Sequence, residues 1–360
     1  MPELQELGHV QNHPRRSRRI ARALPGNDVM SQVILVIGIM LLSCILTGLA
    51  AWYARRSGMV DHPGERHSHV VATPRGGGIG IILALLIVSP WLIGSGDETW
   101  GKCIFPGMLV LAFLGWRDDH ASLSARLRFF VQLVVSIYLV ACAVNNDWMQ
   151  GAGSILLAVL FLVWMTNLYN FMDGSNGMAG LQAVFGGAVL FCLFDSADQH
   201  SLALASACVA AACAGFLPWN LGNARVFMGD VGSISLGFVF GALLVIGVGS
   251  QAFSLPVALM VMLIFVTDSS LTLLGRVLKR EQWYNAHKQH LYQRLIAQGW
   301  THGRVALFYQ AINLVLVVPG IVVAVKYPAL AWAVAMILIL VFTTGWYLLI
   351  TRSGELAQAG

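Results

Sequence analysis

Predominantly apolar runs recur along this chain near 31–54, 76–95, 103–116, 127–144, 152–170, 178–194, 201–219, 231–249, 253–275, 305–325 and 329–350. A helix needs roughly 20 such residues to cross the hydrocarbon core of a bilayer. The runs therefore predict an all-α, polytopic integral membrane protein with about eleven transmembrane helices, the third of them short. Residues 31–350 form one transmembrane domain in this reading, between a basic tail over 1–30 and a short tail over 351–360.

Composition agrees: 57% of residues are hydrophobic and 11% are charged, too few charges to cover a soluble domain of this length. The charges that remain alternate between loops. Of the 22 Lys and Arg, 15 follow the odd-numbered runs, whereas the opposite loops hold Lys102 and Lys326. The positive-inside rule places the first set, and the C-terminus, in the cytoplasm, with the N-terminus outside. Arg15, Arg16, Arg18, Arg19 and Arg22 break that pattern. Either the tail is a basic arm, or Met30, which opens the first apolar run, is the true start; the second reading is favoured. Cys44, Cys103, Cys142, Cys192, Cys208 and Cys213 lie in or beside apolar runs without a CxxC pair, and read as small buried hydrophobes rather than disulfides or zinc ligands. The net charge of +5 reports topology and headgroup contact, not nucleic-acid binding.

Seven of the ten histidines (His62, His67, His69, His120, His287, His290 and His302) fall in the loops assigned to the cytoplasm. Five segments there carry groups capable of chemistry. DHPGERHSHVVATPRGGGIG, from Asp61 to Gly80, offers glycines for close backbone approach, and Arg66, His69 and Arg75 for phosphate oxygens; a basic juxtamembrane loop is the equal alternative. GWRDDH holds Asp118 and Asp119, which as helix neighbours point about 100° apart and do not chelate one ion side by side. NLYNFMDGSNG puts Asn167, Asn170 and Asp173 on one helical face. Such a stripe lines a cavity or binds an ion, a structural amide ladder being the alternative. NLGNARVFMGDVGS sets Asp230 at the start of a span, where a carboxylate can hold Mg²⁺ against a phosphate or simply cap the helix. HKQHLYQRL adds His287 and His290 as cations for a pyrophosphate. Asp268, inside the ninth run, is either functional or the partner of Arg276 or a hydroxyl.

These segments, in this order, resemble the polyprenyl-phosphate N-acetylhexosamine-1-phosphate transferases. The resemblance spans roughly 31–350 and implies transfer of a sugar-1-phosphate from a UDP-N-acetylhexosamine, or a related UDP-amino sugar, to undecaprenyl phosphate, with release of UMP. It implies a Mg²⁺ (or Mn²⁺) enzyme of the bacterial cytoplasmic membrane with its active site facing the cytoplasm, and leaves room for a homodimer. Asp230 and Asn170 would hold the metal. Asp118, Asp119 and Asp173 would be catalytic, and Arg66, Arg75, Asn167, Asn223, His287 and His290 would bind substrate. Asn176 stands where many members carry a second aspartate. HKQH with HLYQRL is closer to the subgroup that initiates O-antigen or other surface polysaccharides than to the muramyl-pentapeptide branch; a general GlcNAc-1-phosphate transferase is the alternative. A transporter would instead spread polar groups through the midplane and show inverted repeats.

Overall fold

A computed structural model describes residues 29–61, 72–94, 98–281 and 288–359. The basic tail, Arg66, His67, His69 and His287 lie outside the described residues. Each apolar run is helical. In chain order the helices are α1 (Val29–Ser57), α2 (Gly78–Gly94), α3 (Phe105–His120), α4 (Ala125–Asn145), α5 (Ala152–Met172), α6 (Met178–Asp195), α7 (His200–Asn220) and α8 (Asp230–Gly249). They are followed by α9 (Leu255–Val261), α10 (Leu263–Leu278), α11 (Leu291–Ala297), α12 (His302–Ile312), α13 (Val318–Lys326) and α14 (Ala331–Ala359).

Among the described residues, eight helices are long and apolar enough to cross a membrane, with α12 and α13 joined into one of them. The count becomes nine if α9 and α10 form one span. That ninth apolar run is not one straight helix: it bends by 79° at Met262. Helices α2 and α3 are shorter, at 17 and 16 residues. The last helix runs past the expected boundary at 350.

Helix α8 is the axis of the assembly. It is apolar nearly all round, and every residue from Asp230 to Gly247 is buried, as befits a helix enclosed by others. Helices α3 and α5 flank it, and α2 meets its N-terminus. A Cβ on Gly78 would lie 2.5 Å from the Cα of Gly232, so the entry to α2 can touch the first turn of α8 at this point with glycine on both sides. Helices α1 and α14 sit outside and expose Ile34, Leu41 and Ile45, and Met336, Ile337 and Leu340, faces suited to lipid.

A two-stranded antiparallel hairpin, β1 (Val60–Asp61) with β2 (Thr73–Pro74), closes the first polar segment at its base. The chain leaving β2 then follows the strand-like stretch before α8: Phe227 donates its N–H to the Pro74 carbonyl at 2.8 Å, and Gly77 and Gly78 donate to Phe227 and Met228, both at 2.8 Å. Those two glycine amides are spent on backbone pairing and are not a phosphate cradle.

One expectation about cysteine is overturned. Cys103 and Cys142 form a disulfide across 39 residues of sequence, with their Cα atoms 5.8 Å apart. Helices α3 and α4 are antiparallel neighbours, so the start of one and the end of the other share an end of the bundle, opposite to Asp118 and Asp119. Spacing along the chain carries no signal for such a pair. Disulfides persist in oxidising compartments and are rare in reducing ones. In membranes kept free of reductant, a permeant maleimide should modify neither Cys103 nor Cys142, and should modify both after reduction and denaturation. Peptide mass spectrometry reads this, and modification of either before reduction would contradict the pairing.

Candidate functional site

The site forms where four helix ends meet the β2–α2 segment. Gly229 precedes α8 with φ +74°, and a Cβ there would lie 2.6 Å from an Asp119 oxygen, so glycine relieves both constraints. Asp119, near the end of α3, reaches across and accepts the backbone N–H groups of Asp230 (3.0 Å) and Val231 (3.1 Å). These are two of the amides that a helix start leaves without carbonyl partners. Asp119 thus caps α8, and the cap reading proposed for Asp230 itself does not hold. The Asp230 carboxylate is left to face the site.

Asp230 is 7% exposed. One oxygen accepts from Arg75 Nη2 at 3.2 Å and from Asn170 Nδ2 at 3.0 Å. The other lies 3.6 Å from Arg128 Nη1. Arg75 also pairs through Nε with Asp119 at 3.1 Å. Arg128 pairs with Asp118 at 2.8 Å, and Asp118 further accepts the Leu123 N–H at 2.5 Å. The adjacent aspartates therefore serve different partners, as their angular separation on a helix requires. Both arginines remain about a third or more exposed, with side-chain exposures of 41% for Arg75 and 35% for Arg128.

Asn170 also donates to Ser233 Oγ at 2.9 Å, which ties α5 to the first turn of α8. Asp173 follows the last residue of α5 and is half-buried. Burial, and then the carboxylate of Asp230, push its pKa well above the usual carboxylate range, against the pull of Arg75. Among the described residues its side chain has no hydrogen-bond partner.

Other sequence candidates fall elsewhere. Asn167 lies one turn deeper, and its Nδ2 donates to Gln132 Oε1 at 2.7 Å and to the Val163 carbonyl at 2.8 Å, an amide bridge between α5 and α4. His290 is 2% exposed and stacks on Phe171 and Tyr292 with centroids 6.3 and 5.8 Å away. It is packed behind the site rather than open to a phosphate. Asn223 is exposed on the loop before α8, and no side-chain contact joins it to the cluster. Arg66 and His287 lie outside the described residues.

Arg128 was not among the sequence candidates. Its signal is its place in the first turn of the helix that follows the aspartate pair, after a turn short enough to return α4 beside α3. Asn176 has a use that an aspartate lacks: its Nδ2 donates to the Gly222 carbonyl at 2.7 Å, which pins the loop after α5 to the loop after α7. A carboxylate there could not donate.

Asp118, Asp119 and Asp230 against Arg75 and Arg128 leave one formal negative charge, before Asp173 is counted. Among the described residues no three His, Cys, Asp or Glu side chains are arranged to hold an ion on their own. The cluster instead offers oxygen ligands singly, beside cations that already compensate Asp230.

The sequence profile of glycosyl transferase family 4 matches residues 102–248, the stretch that holds α3 to α8 and all four clustered aspartates. A probable undecaprenyl-phosphate N-acetylglucosaminyl 1-phosphate transferase of Bacillus subtilis is 28% identical over 290 residues, covering 77% of this chain and 81% of its own length. A decaprenyl-phosphate N-acetylglucosaminephosphotransferase of Mycobacterium tuberculosis is 30% identical over 303 residues, covering 72% and 74%. A phospho-N-acetylmuramoyl-pentapeptide-transferase of Bacillus pumilus is 27% identical over 336 residues, covering 82% and 99%.

The raised pKa of Asp173 has a measurable consequence. Near pH 4, about the ordinary value for an aspartate, folded and unfolded chains both begin to hold the proton and the group contributes little. As pH rises, ionisation favours the unfolded chain, and stability falls until the folded-state value is passed. Asp173→Asn should therefore melt in detergent close to the parent at pH 4 and at a higher temperature at pH 7 to 8. A midpoint below that of the parent at pH 7 would contradict the assignment.

Proposed function

The chain belongs to glycosyl transferase family 4, and from that membership we propose that it moves an N-acetylhexosamine-1-phosphate from a UDP-sugar onto undecaprenyl phosphate and releases UMP. The observation that carries this reading is Asp230. It is a buried carboxylate at the first residue of α8, relieved of capping by Asp119 and held between two half-exposed guanidiniums. That arrangement suits two phosphorylated substrates meeting at the polar edge of a membrane.

In the reaction, an oxygen of the acceptor phosphate bonds to the sugar-bearing phosphorus of the donor. The bond from that phosphorus to the bridging oxygen breaks, and UMP leaves with the electron pair. Such transfers depend on alignment and charge neutralisation more than on a strong base. A phosphate monoester is largely dianionic at pH 7, so the acceptor arrives as a competent nucleophile. Arg75 and Arg128, both partly exposed, would bind phosphate oxygens. Asp119 and Asp118 hold those arginines in place. Asp173 would share a proton with the acceptor.

The donor set fits Mg²⁺, which takes oxygen ligands, few of them from protein, and keeps waters or substrate phosphates for the rest. Asp230 would hold it, with Asn170 turning its amide so that Oδ1 rather than Nδ2 faces the carboxylate. When bound, the ion would neutralise charge on the donor pyrophosphate. We place the site on the cytoplasmic side, on the loop charges. The names of the relatives favour N-acetylglucosamine as the sugar. The HKQH and HLYQRL segments favour a product that starts O-antigen or another surface polysaccharide.

Purified protein in detergent, with Mg²⁺, undecaprenyl phosphate and a panel of UDP-N-acetylhexosamines, should release UMP with one of them. Asp230→Ala should lower that rate by about 10²–10³-fold, the size of effect seen when one electrostatic stabiliser is removed. Parent-like activity of the variant at limiting Mg²⁺ would refute the metal assignment.

A further inference from the structure

Asp268 is the most heavily engaged carboxylate outside the cluster, and nothing in the reaction uses it. It sits in α10, beyond the 79° bend, and is 2% exposed. Its Oδ1 accepts the Leu291 backbone N–H at 2.9 Å, the Trp346 indole N–H at 3.0 Å and the Thr272 hydroxyl at 3.3 Å. Its Oδ2 accepts the Tyr309 hydroxyl at 2.8 Å. One side chain thereby joins α10, α11, α12 and α14. A carboxylate at this depth is costly unless its lone pairs are filled, and here donors from four elements fill them.

The element held most directly is α11. It has seven residues, too few to persist as a helix on its own, and Asp268 takes its first amide. The next residue, Tyr292, is fully buried and donates its hydroxyl to the Phe171 carbonyl at 3.0 Å. A Cβ on Gly174 would collide with that hydroxyl. Phe171 and Gly174 bracket Asp173 and lie within a turn of Asn170. A continuous path of hydrogen bonds and close packing thus runs from Trp346 and Tyr309 through Asp268 to α11, and from Tyr292 to the loop that presents Asp173.

We propose that Asp268 is a positioning residue for the transfer reaction, acting through α11 and Tyr292 to fix the Asn170–Gly174 loop against the N-terminus of α8. It touches no substrate. The assignment rests on the transferase reading above and is separable from it: if the parent releases no UMP, that reading fails, whereas an active parent leaves Asp268 to be judged on its variants.

The test is kcat per folded enzyme, measured on the monodisperse fraction in detergent. Asp268→Ala should lose about 10–100-fold, the scale of a small misplacement of reacting groups. Asp268→Asn keeps an oxygen for Leu291 and Trp346, and the Tyr309 hydroxyl can rotate to accept from the new amide; it should recover most of the loss. Tyr292→Phe should lower kcat by itself, and adding it to Asp268→Ala should cost almost nothing more, because both act on one path. A parent-like kcat for Asp268→Ala, an Asn variant as poor as the Ala variant, or losses that multiply in the double variant would each overturn the proposal. Should Asp268→Ala not fold, Tyr309→Phe combined with Tyr292→Phe reads the same coupling, and multiplied losses there would overturn it equally.

Discussion

The first amides of α8 have no carbonyl in their own helix to bind, and the rest of the site depends on how they are satisfied. Asp119 reaches over from α3 and takes two of them. That contact joins the ends of two helices that are distant in sequence. It also removes the need for Asp230 to cap its own helix, and its remaining capacity orients Arg75. The contact requires glycine at 229, where a Cβ would strike the same carboxylate. A helix N-terminus attracts negative charge; here the protein supplies one carboxylate to that terminus and presents the next to the site.

Charge balance follows from the same arrangement. Three carboxylates and two guanidiniums interlock, each arginine bridging Asp230 to a different member of the aspartate pair. Removing one partner of a fully buried ion pair costs roughly 3–5 kcal/mol, because a charge is left uncompensated. The half-exposed arginines place the cost here lower, since water can reach the carboxylates they leave. Partial exposure is also what the proposed contact of these guanidiniums with a phosphate requires. A sealed pair would be sturdier and of no use to a substrate.

Two buried carboxylates, Asp230 and Asp268, illustrate opposite solutions to the same problem. Asp230 is met by two partly exposed guanidiniums and an amide. Asp268 is held by hydrogen-bond donors fixed on four elements, with His290 Nδ1 3.9 Å from Oδ1, so its position is what matters. The bend at Met262 turns α10 away from the direction of α9, in the region where α11, α12 and α14 converge on Asp268.

The residue order by itself determined that this is a bundle of apolar helices, because backbone in a bilayer must satisfy its hydrogen bonds within each segment, and local hydrophobicity marks where that happens. It also separated Asp118 from Asp119 by helical geometry and singled out Asn170, Asp173 and Asp230. Tertiary structure decided everything that turns on which helix ends meet. It brought Arg128 into the cluster, gave the α8 cap to Asp119, withdrew Asn167 and His290 into packing, joined Cys103 to Cys142 and gave Asn176 a carbonyl to bind. The bonds behind these outcomes join residues 10 to 111 positions apart. No local pattern encodes them, since a side chain's partner is chosen by the packing of whole helices and not by its neighbours in the chain.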